Sequence, residues 1–542
     1  MTVLIAITIL LAAVVASSMV ARIAGGVAPL PLVQIAVGVA IGASVDLHIA
    51  LDPELFLLLF IAPLLFLDGW RVPRESLFEE KWTISALAFG LVAFTVAGAG
   101  LFLHWLIPAM PLAVGFALAA VLSPTDAVAV SAIAARAPIP RRLLHLLEGE
   151  ALLNDATGLV CFRFAIAAAL TGTFQLGAAT IAFVWLIVCG VLVGVGVTLL
   201  ANAAKDWTAS RFGEESGSHI LISLLIPFAA YVLATHLGGS GILAAVAAGI
   251  TMNYEERSGV AQPITRIRRA AVWDAVQFAA NGVIFVLLGD QLPAIVAGAQ
   301  RVVGDTGHRH AGWLILLALS IYGVLFILRA LWVLISLHLT RRRHAATDAL
   351  DWRAVAVMSL SGVRGALTLS GVMALPLALN DGSPFPARDL AILLAAGVII
   401  VSLLAANLGI PLLVKGASVQ AEPAHDEAEG GARLAAALAA MNAVETSLRE
   451  AEPADEDAEL YLRAGAEVVS IYRQRVETRQ QVGGLPDVAR KLGRIERRLQ
   501  LIALRAERQE FYRLARSGKL TDEQAALLVR EVDLLESRFA VA

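Results

Sequence analysis

Thirteen stretches of this chain are apolar over about the length a helix needs to cross a bilayer. A spanning helix takes about 20 mostly apolar residues. The stretches fall at 2–21, 27–44, 53–70, 82–107, 111–135, 141–171, 177–203, 217–236, 239–254, 270–290, 311–340, 353–379 and 387–415. Runs of this kind cannot all be buried in a water-soluble core. They are continuous rather than ten-residue alternations, which excludes a transmembrane barrel. The expected fold is an all-α polytopic membrane protein. Composition agrees: 58% of residues are hydrophobic and 16% charged, against about 45–50% and about 25% in soluble domains. The first stretch lacks the basic leader of a signal peptide and is read as a span.

The charges are unevenly spread. Residues 1–416 hold 24 Lys/Arg and 23 Asp/Glu, whereas 417–542 hold 18 and 22 in less than a third of that length. This divides the chain into a membrane domain at 1–416, a linker at 417–430 and a helical tail at 431–542. Net charges of +1 and −4 supply no basic field for nucleic acid. Cys161 and Cys189 both lie in apolar runs and form neither a metal spacing nor a disulfide framework. Summed over alternate loops, Lys and Arg divide 18 to 3. The positive-inside bias then puts the N-terminus outside and the tail in the cytoplasm.

Ionisable residues within spans are costly and mark function by default. Asp68 sits beside Arg71 at a span end and reads as a solvated anchor. Glu148 and Asp274 fall near the interface, and Arg163 and Arg329 can snorkel or pair. Asp126, Glu150, Asp155 and Arg364 have no such exit. Asp126 follows Ser123-Pro124-Thr125, and proline breaks the helix ladder. Broken backbone at membrane depth is tolerated only where it is buried in protein or lines a cavity. From the turn near 137–140, Asp126 lies about 18 Å back and Asp155 about 25 Å on. Two antiparallel helices therefore bring both carboxylates to similar depth near the midplane. Arg364 lies in Ser361-Gly362-Val363-Arg364-Gly365, a second interrupted helix. Paired interrupted helices in corresponding halves point to a transporter site. Glu150, about 1.4 turns from Asp155, is the first choice of partner for Arg364; both could also simply bolt the bundle together. A carboxylate out of water is stabilised by a proton or by a small hard cation. Asp126, Asp155, Thr125 and Asn154 supply oxygen ligands for such an ion. One group holding either species gives exchange without further machinery.

Thr125-Asp126 in a broken helix, Asn154-Asp155 one span later, and Ser361-Gly362-Val363-Arg364-Gly365-Ala366 near the end together resemble the bacterial sodium/proton antiporters of the cation/proton antiporter-1 family. The resemblance covers about residues 1–415. It implies an inverted-repeat fold with a dimerisation domain and a moving core, elevator-like alternating access, and homodimers. It implies that Asp155 is the main cation and proton carrier, with Na+ held at Asp155, Asp126 and Thr125. Asn154 marks the Asn-Asp type associated with electroneutral exchange. Glu150 and Arg364 match the family's stabilising ion pair, with Ser123 and Arg329 in support. Where many members carry Ser after the Glu, this chain has Ala151. The implied role is exchange of a monovalent cation, Na+ before Li+ or K+, for H+ across the bacterial plasma membrane in pH and Na+ homeostasis. The ions are cargo, and no cofactor is expected.

Two alternatives differ in class. A K+/H+ antiporter of the same fold fits the same residues. An intramembrane aspartyl protease also needs two membrane aspartates, but Leu287-Leu288-Gly289-Asp290 only partly matches its Gly-x-Gly-Asp pattern and Asp290 is at a span end. In the tail, stretches at 431–451, 456–482, 487–516 and 521–539 read as amphipathic helices, broken by Gly483-Gly484 and Pro486.

Overall fold

The computed structural model describes residues 2–24, 29–44, 53–71, 81–126, 141–171, 176–213, 215–256, 263–305, 312–344, 352–379, 382–414, 423–450, 458–482, 486–517, 519–520 and 522–540. The chain divides into two units, Met1–Val419 and Gln420–Ala542.

The first unit is helical. Its elements are α1 (Thr2–Ile23), α2 (Leu30–Ser44), α3 (Pro53–Phe56, a π-helical stretch Leu57–Ile61, then Ala62–Arg71), and α4 (Lys81–Ser85, a π-helical stretch Ala86–Leu91, then Val92–Leu106). They continue with α5 (Leu112–Leu122), α6 (Arg141–Thr171), α7 (Leu176–Phe212), α8 (Ser216–His236), α9 (Gly241–Glu256), α10 (Pro263–Asp305), α11 (Gly312–His344), α12 (Trp352–Leu360), α13 (Ala366–Met373) and α14 (Arg388–Val414). Each of the thirteen apolar stretches contains one or two of these helices. Among the described residues, eight helices are long and apolar enough to cross a membrane, and α2 and α5 are shorter. The shortfall has a local cause at two stretches: α5 stops before Pro124, and 353–379 is divided between α12 and α13. The turn expected near 137–140 lies outside the described residues.

Packing relies on small residues, as expected where lipid offers no hydrophobic drive between helices. On α2, Gly38 and Gly42 face the backbone of α10 at Val286, Gly289 and Asp290 so closely that a Cβ at either would overlap it. Large apolar side chains such as Leu192 and Leu200 on α7 and Ile327 on α11 remain exposed, which suits a hydrocarbon surround.

The second unit comprises α15 (Pro423–Glu450), α16 (Ala458–Val482), α17 (Pro486–Arg516) and α18 (Asp522–Ala540), with α15 packed on α16 and α17 on α18. The linker expected at 417–430 is shorter than the sequence suggested, because the chain is helical from Pro423. Proline suits the first turn of a helix, and the Ala- and Glu-rich residues that follow are good helix formers.

Candidate functional site

The end of α5 and the interruption between α12 and α13 meet inside the first unit. Pro124 cannot donate a backbone hydrogen bond, so α5 ends at Leu122 and the chain runs irregularly through Asp126. Likewise α12 ends at Leu360, Ser361–Gly365 is non-helical, and α13 begins at Ala366. The breaks are joined directly: the Asp126 N–H donates to the Val363 carbonyl at 2.8 Å.

Helix termini leave backbone groups without partners, and cations suit their C-terminal ends. Arg364 supplies that cation. Its Nε donates to the Leu122 carbonyl at 2.8 Å and its Nη1 to the Gly362 carbonyl, so it serves the ends of α5 and α12 together. Its backbone N–H is held by Ser402 Oγ at 3.0 Å. Asp126 has the converse place. Its carboxylate lies against Gly365 at the start of α13, so closely that a Cβ there would overlap it.

The expected Glu150–Arg364 pair is not what forms. Glu150 takes a two-pronged salt bridge from Arg329 on α11, at 2.5 Å and 2.8 Å, with both side chains buried. Arg329 Nε also donates to the Met358 carbonyl at 2.8 Å, near the end of α12. The physical reason is the break itself: Arg364 is engaged by carbonyls that the interrupted helices leave open, and Arg329 is free to approach Glu150. Asn154 Nδ2 donates to Thr125 Oγ1 at 2.9 Å and to Glu150 Oε1 at 3.4 Å. This places the Asn154 amide behind Thr125, tying it to Glu150. Ser123 Oγ is buried and has no hydrogen-bond partner among the described residues.

A cavity of about 50 Å³ opens beside the crossing, enough for a few water-sized ligands. Thr125, Asp126 and Asp155 line it, so aspartates from the irregular end of α5 and from α6 border one space. Asn154, Ser123, Glu150, Arg329 and Arg364 do not line it. The sequence reading missed Asp68, Asn281 and Thr368, which do. Asp68 looked like a surface anchor because Arg71 is near in sequence, but Arg71 pairs with Asp274 and Gln277 on α10. The π-helical stretch of α3 ends at Ile61, also in the lining, and Leu64, Leu65 and Asp68 follow it. The Ala151 methyl is part of the wall. Three carboxylates line the cavity and no Lys or Arg does, so its field attracts cations.

The family model described as "Sodium/hydrogen exchanger, transmembrane" matches residues 7–416. The chain belongs to the sodium/hydrogen exchanger family. It is 38% identical over 534 residues to the uncharacterized Na+/H+ exchanger YjcE of Escherichia coli (strain K12), covering 96% of each chain. It is 42% identical over 393 residues to the sodium, potassium, lithium and rubidium/H+ antiporter of Bacillus subtilis (strain 168), covering 71% of this chain and 58% of that one. Among solved structures, the sodium/proton antiporter MjNhaP1 of Methanocaldococcus jannaschii at pH 8 shares the fold. Its TM-score is 0.58 at 18% identity, covering 77% of this chain and 99% of that one. As a sodium/hydrogen exchanger the protein is a multi-pass membrane antiporter and not an enzyme. That removes the aspartyl protease from consideration.

Proposed function

We propose that this exchanger trades one monovalent cation, Na+ foremost, for one H+, with Asp155 as the shared carrier and Asp126 and Thr125 completing the ion's oxygen ligands. Asn154 acts one step back, donating to the Thr125 hydroxyl and to Glu150. The observation that carries this reading is the cavity at the crossing, lined by three aspartates and two threonines and by no Lys or Arg. A proton and a cation each cancel one negative charge there, so both cannot be bound by the same carboxylate. Exchange follows from that competition and is electroneutral.

Alternating access is elevator-like. The crossed breaks, locked together by Arg364 and by the Glu150–Arg329 pair, move as one block past α2, α3, α9 and α10. The dense glycine contact between α2 and α10 supports a rigid frame on that side. The protein works as a homodimer in the plasma membrane with its N-terminus outside and its tail in the cytoplasm, and it contributes to internal pH and Na+ balance. Residues 1–416 form the exchanger and the helical tail is separate from it.

Ion choice is broad. The Bacillus relative is named for four alkali cations. The Ala151 methyl in the wall offers one oxygen ligand fewer than a serine would, which weakens discrimination by ion size. K+ and Li+ are therefore also carried. Reconstitution into liposomes with an imposed proton gradient tests the whole reading. Internal pH should rise when Na+, Li+ or K+ is added to drive exchange, with no dependence on a clamped voltage. No cation-coupled proton flux would sink the antiport reading, and voltage sensitivity would sink one-for-one exchange. Asp155→Asn should abolish the flux in protein that remains inserted and folded.

A further inference from the structure

The tail carries an apolar face that its own fold does not cover. On α17, Ile495, Leu499 and Ile502 are 49%, 60% and 54% exposed. Their 4-3 spacing is the seam of a coiled coil, and Val488 and Leu492 extend it in the sequence. This is not the face that meets α18. That face holds buried Leu504 and, one turn on, Arg508, which pairs with Asp533 at 2.8 Å and with Glu536 on α18. Thus α17 has two apolar stripes, and the second stays exposed among the described residues of the tail.

The charges beside the open stripe name its occupant. With Leu492 and Leu499 at a and Ile495 and Ile502 at d, the g positions are Lys491, Arg498 and Arg505, and the e positions Glu496, Ala503 and Glu510. One flank is wholly basic and the other acidic or neutral. In a parallel pair each g residue faces the e residue five places on in its mate, which sets Lys491 against Glu496 and Arg505 against Glu510. In an antiparallel pair g meets g and e meets e, so like charges oppose. An anionic bilayer surface would instead call for basic residues on both flanks. Arg505 and Glu510 have in-chain contacts, to Glu536 at 3.5 Å and to Arg513 at 2.7 Å, but both remain open at 65% and 49% exposure. Copies inserted in one orientation send their tails to the same side of the membrane, and a two-fold axis along the membrane normal makes them parallel.

We propose that the exposed α17 stripe is a parallel coiled-coil interface with α17 of a second copy of this chain. Its effect is to yoke the tails of two exchangers.

The full chain in native vesicles tests this by disulfide trapping, with the wild-type chain, which carries Cys161 and Cys189, as background. Facing a or d positions in a coiled coil come within the Cα separation a disulfide needs. Leu499→Cys should therefore give a cross-linked dimer under mild oxidation, at about ten times the yield of Glu507→Cys, which occupies an exposed b position. Arg505→Glu should lower the yield at Leu499→Cys several-fold, and adding Glu510→Arg should restore it. Equal yields at the two cysteines, no cross-link at Leu499→Cys, or yields unmoved by the charge exchange would each overturn the proposal. So would a Leu499→Cys thiol that resists aqueous maleimide in anionic vesicles without cross-linking, since the stripe would then lie on lipid. Both substituted positions are solvent-exposed, and retained cation/proton exchange in the same vesicles confirms folded protein.

Discussion

Arg329 and Arg364 are both buried guanidinium groups, yet they are held in opposite ways. Arg329 has a carboxylate partner and Arg364 has helix ends. Removing one member of a buried pair strands the other, typically at about 3–5 kcal/mol. Glu150→Gln and Arg329→Met should each lower the thermal midpoint of purified protein by many degrees, whereas Glu150→Leu with Arg329→Met together should recover most of the loss. Arg364→Met should not be rescued by any change at Glu150. Gly365→Ala drives a methyl into the Asp126 carboxylate. It should reduce exchange by tenfold or more while leaving expression intact, as read by cation-driven proton flux. Ala151→Ser adds an oxygen to the cavity wall and should raise the preference for Na+ and Li+ over K+, measured as the ratio of apparent KM values. Competition also fixes a pH trend. On the acid side of the exchange optimum, protons occupy the carrier, and the apparent KM for cation should rise by about tenfold per pH unit. These residues were unevenly legible in the sequence. Span position gave Asp126 and Asp155 their common depth, but depth says nothing of direction around a helix axis. That is why the Glu150 partner was misassigned and why Asp68, Asn281 and Thr368 escaped notice.

At the scale of elements, the two helix interruptions were readable from Ser123-Pro124 and from the glycines flanking Val363-Arg364, because proline and glycine act locally. The π-helical stretches Leu57–Ile61 and Ala86–Leu91 left no such mark. Their sequences are ordinary apolar runs, and a π-turn arises from tertiary fit rather than from propensity; such turns often lie near functional sites. The first of them leads straight into the cavity wall. Helix pairing was equally silent, since apolar stripes facing lipid and facing protein look alike. Gly38 against Gly289 shows what decides it: close backbone approach. Gly38→Leu should separate α2 from α10 and destabilise the protein by at least the roughly 1–3 kcal/mol typical of overpacking, read as a lower thermal midpoint in detergent.

For the molecule as a whole, every residue that lines the cavity belongs to the first unit, Met1–Val419. A chain truncated after Val419 should therefore still exchange cations for protons in vesicles, and complete loss of flux would assign the tail an obligatory role. The sharp change in charge density near residue 416 falls close to the boundary between the two units at Val419. The expected orientation, with 18 basic loop residues inside and 3 outside, predicts that Glu507→Cys is labelled by impermeant maleimide in inside-out vesicles and protected in right-side-out ones.

The contact between Arg364 and Leu122 spans 242 positions of chain. At a synthesis rate of about 5–20 residues per second, the ribosome needs roughly 12–48 s to supply the second broken helix after the first has entered the membrane. Through that interval the Leu122 carbonyl lacks its cation, and Glu150 waits for Arg329 some 179 positions later. The half-made transporter thus carries open helix ends, and a Glu150 without its salt-bridge partner, for many seconds.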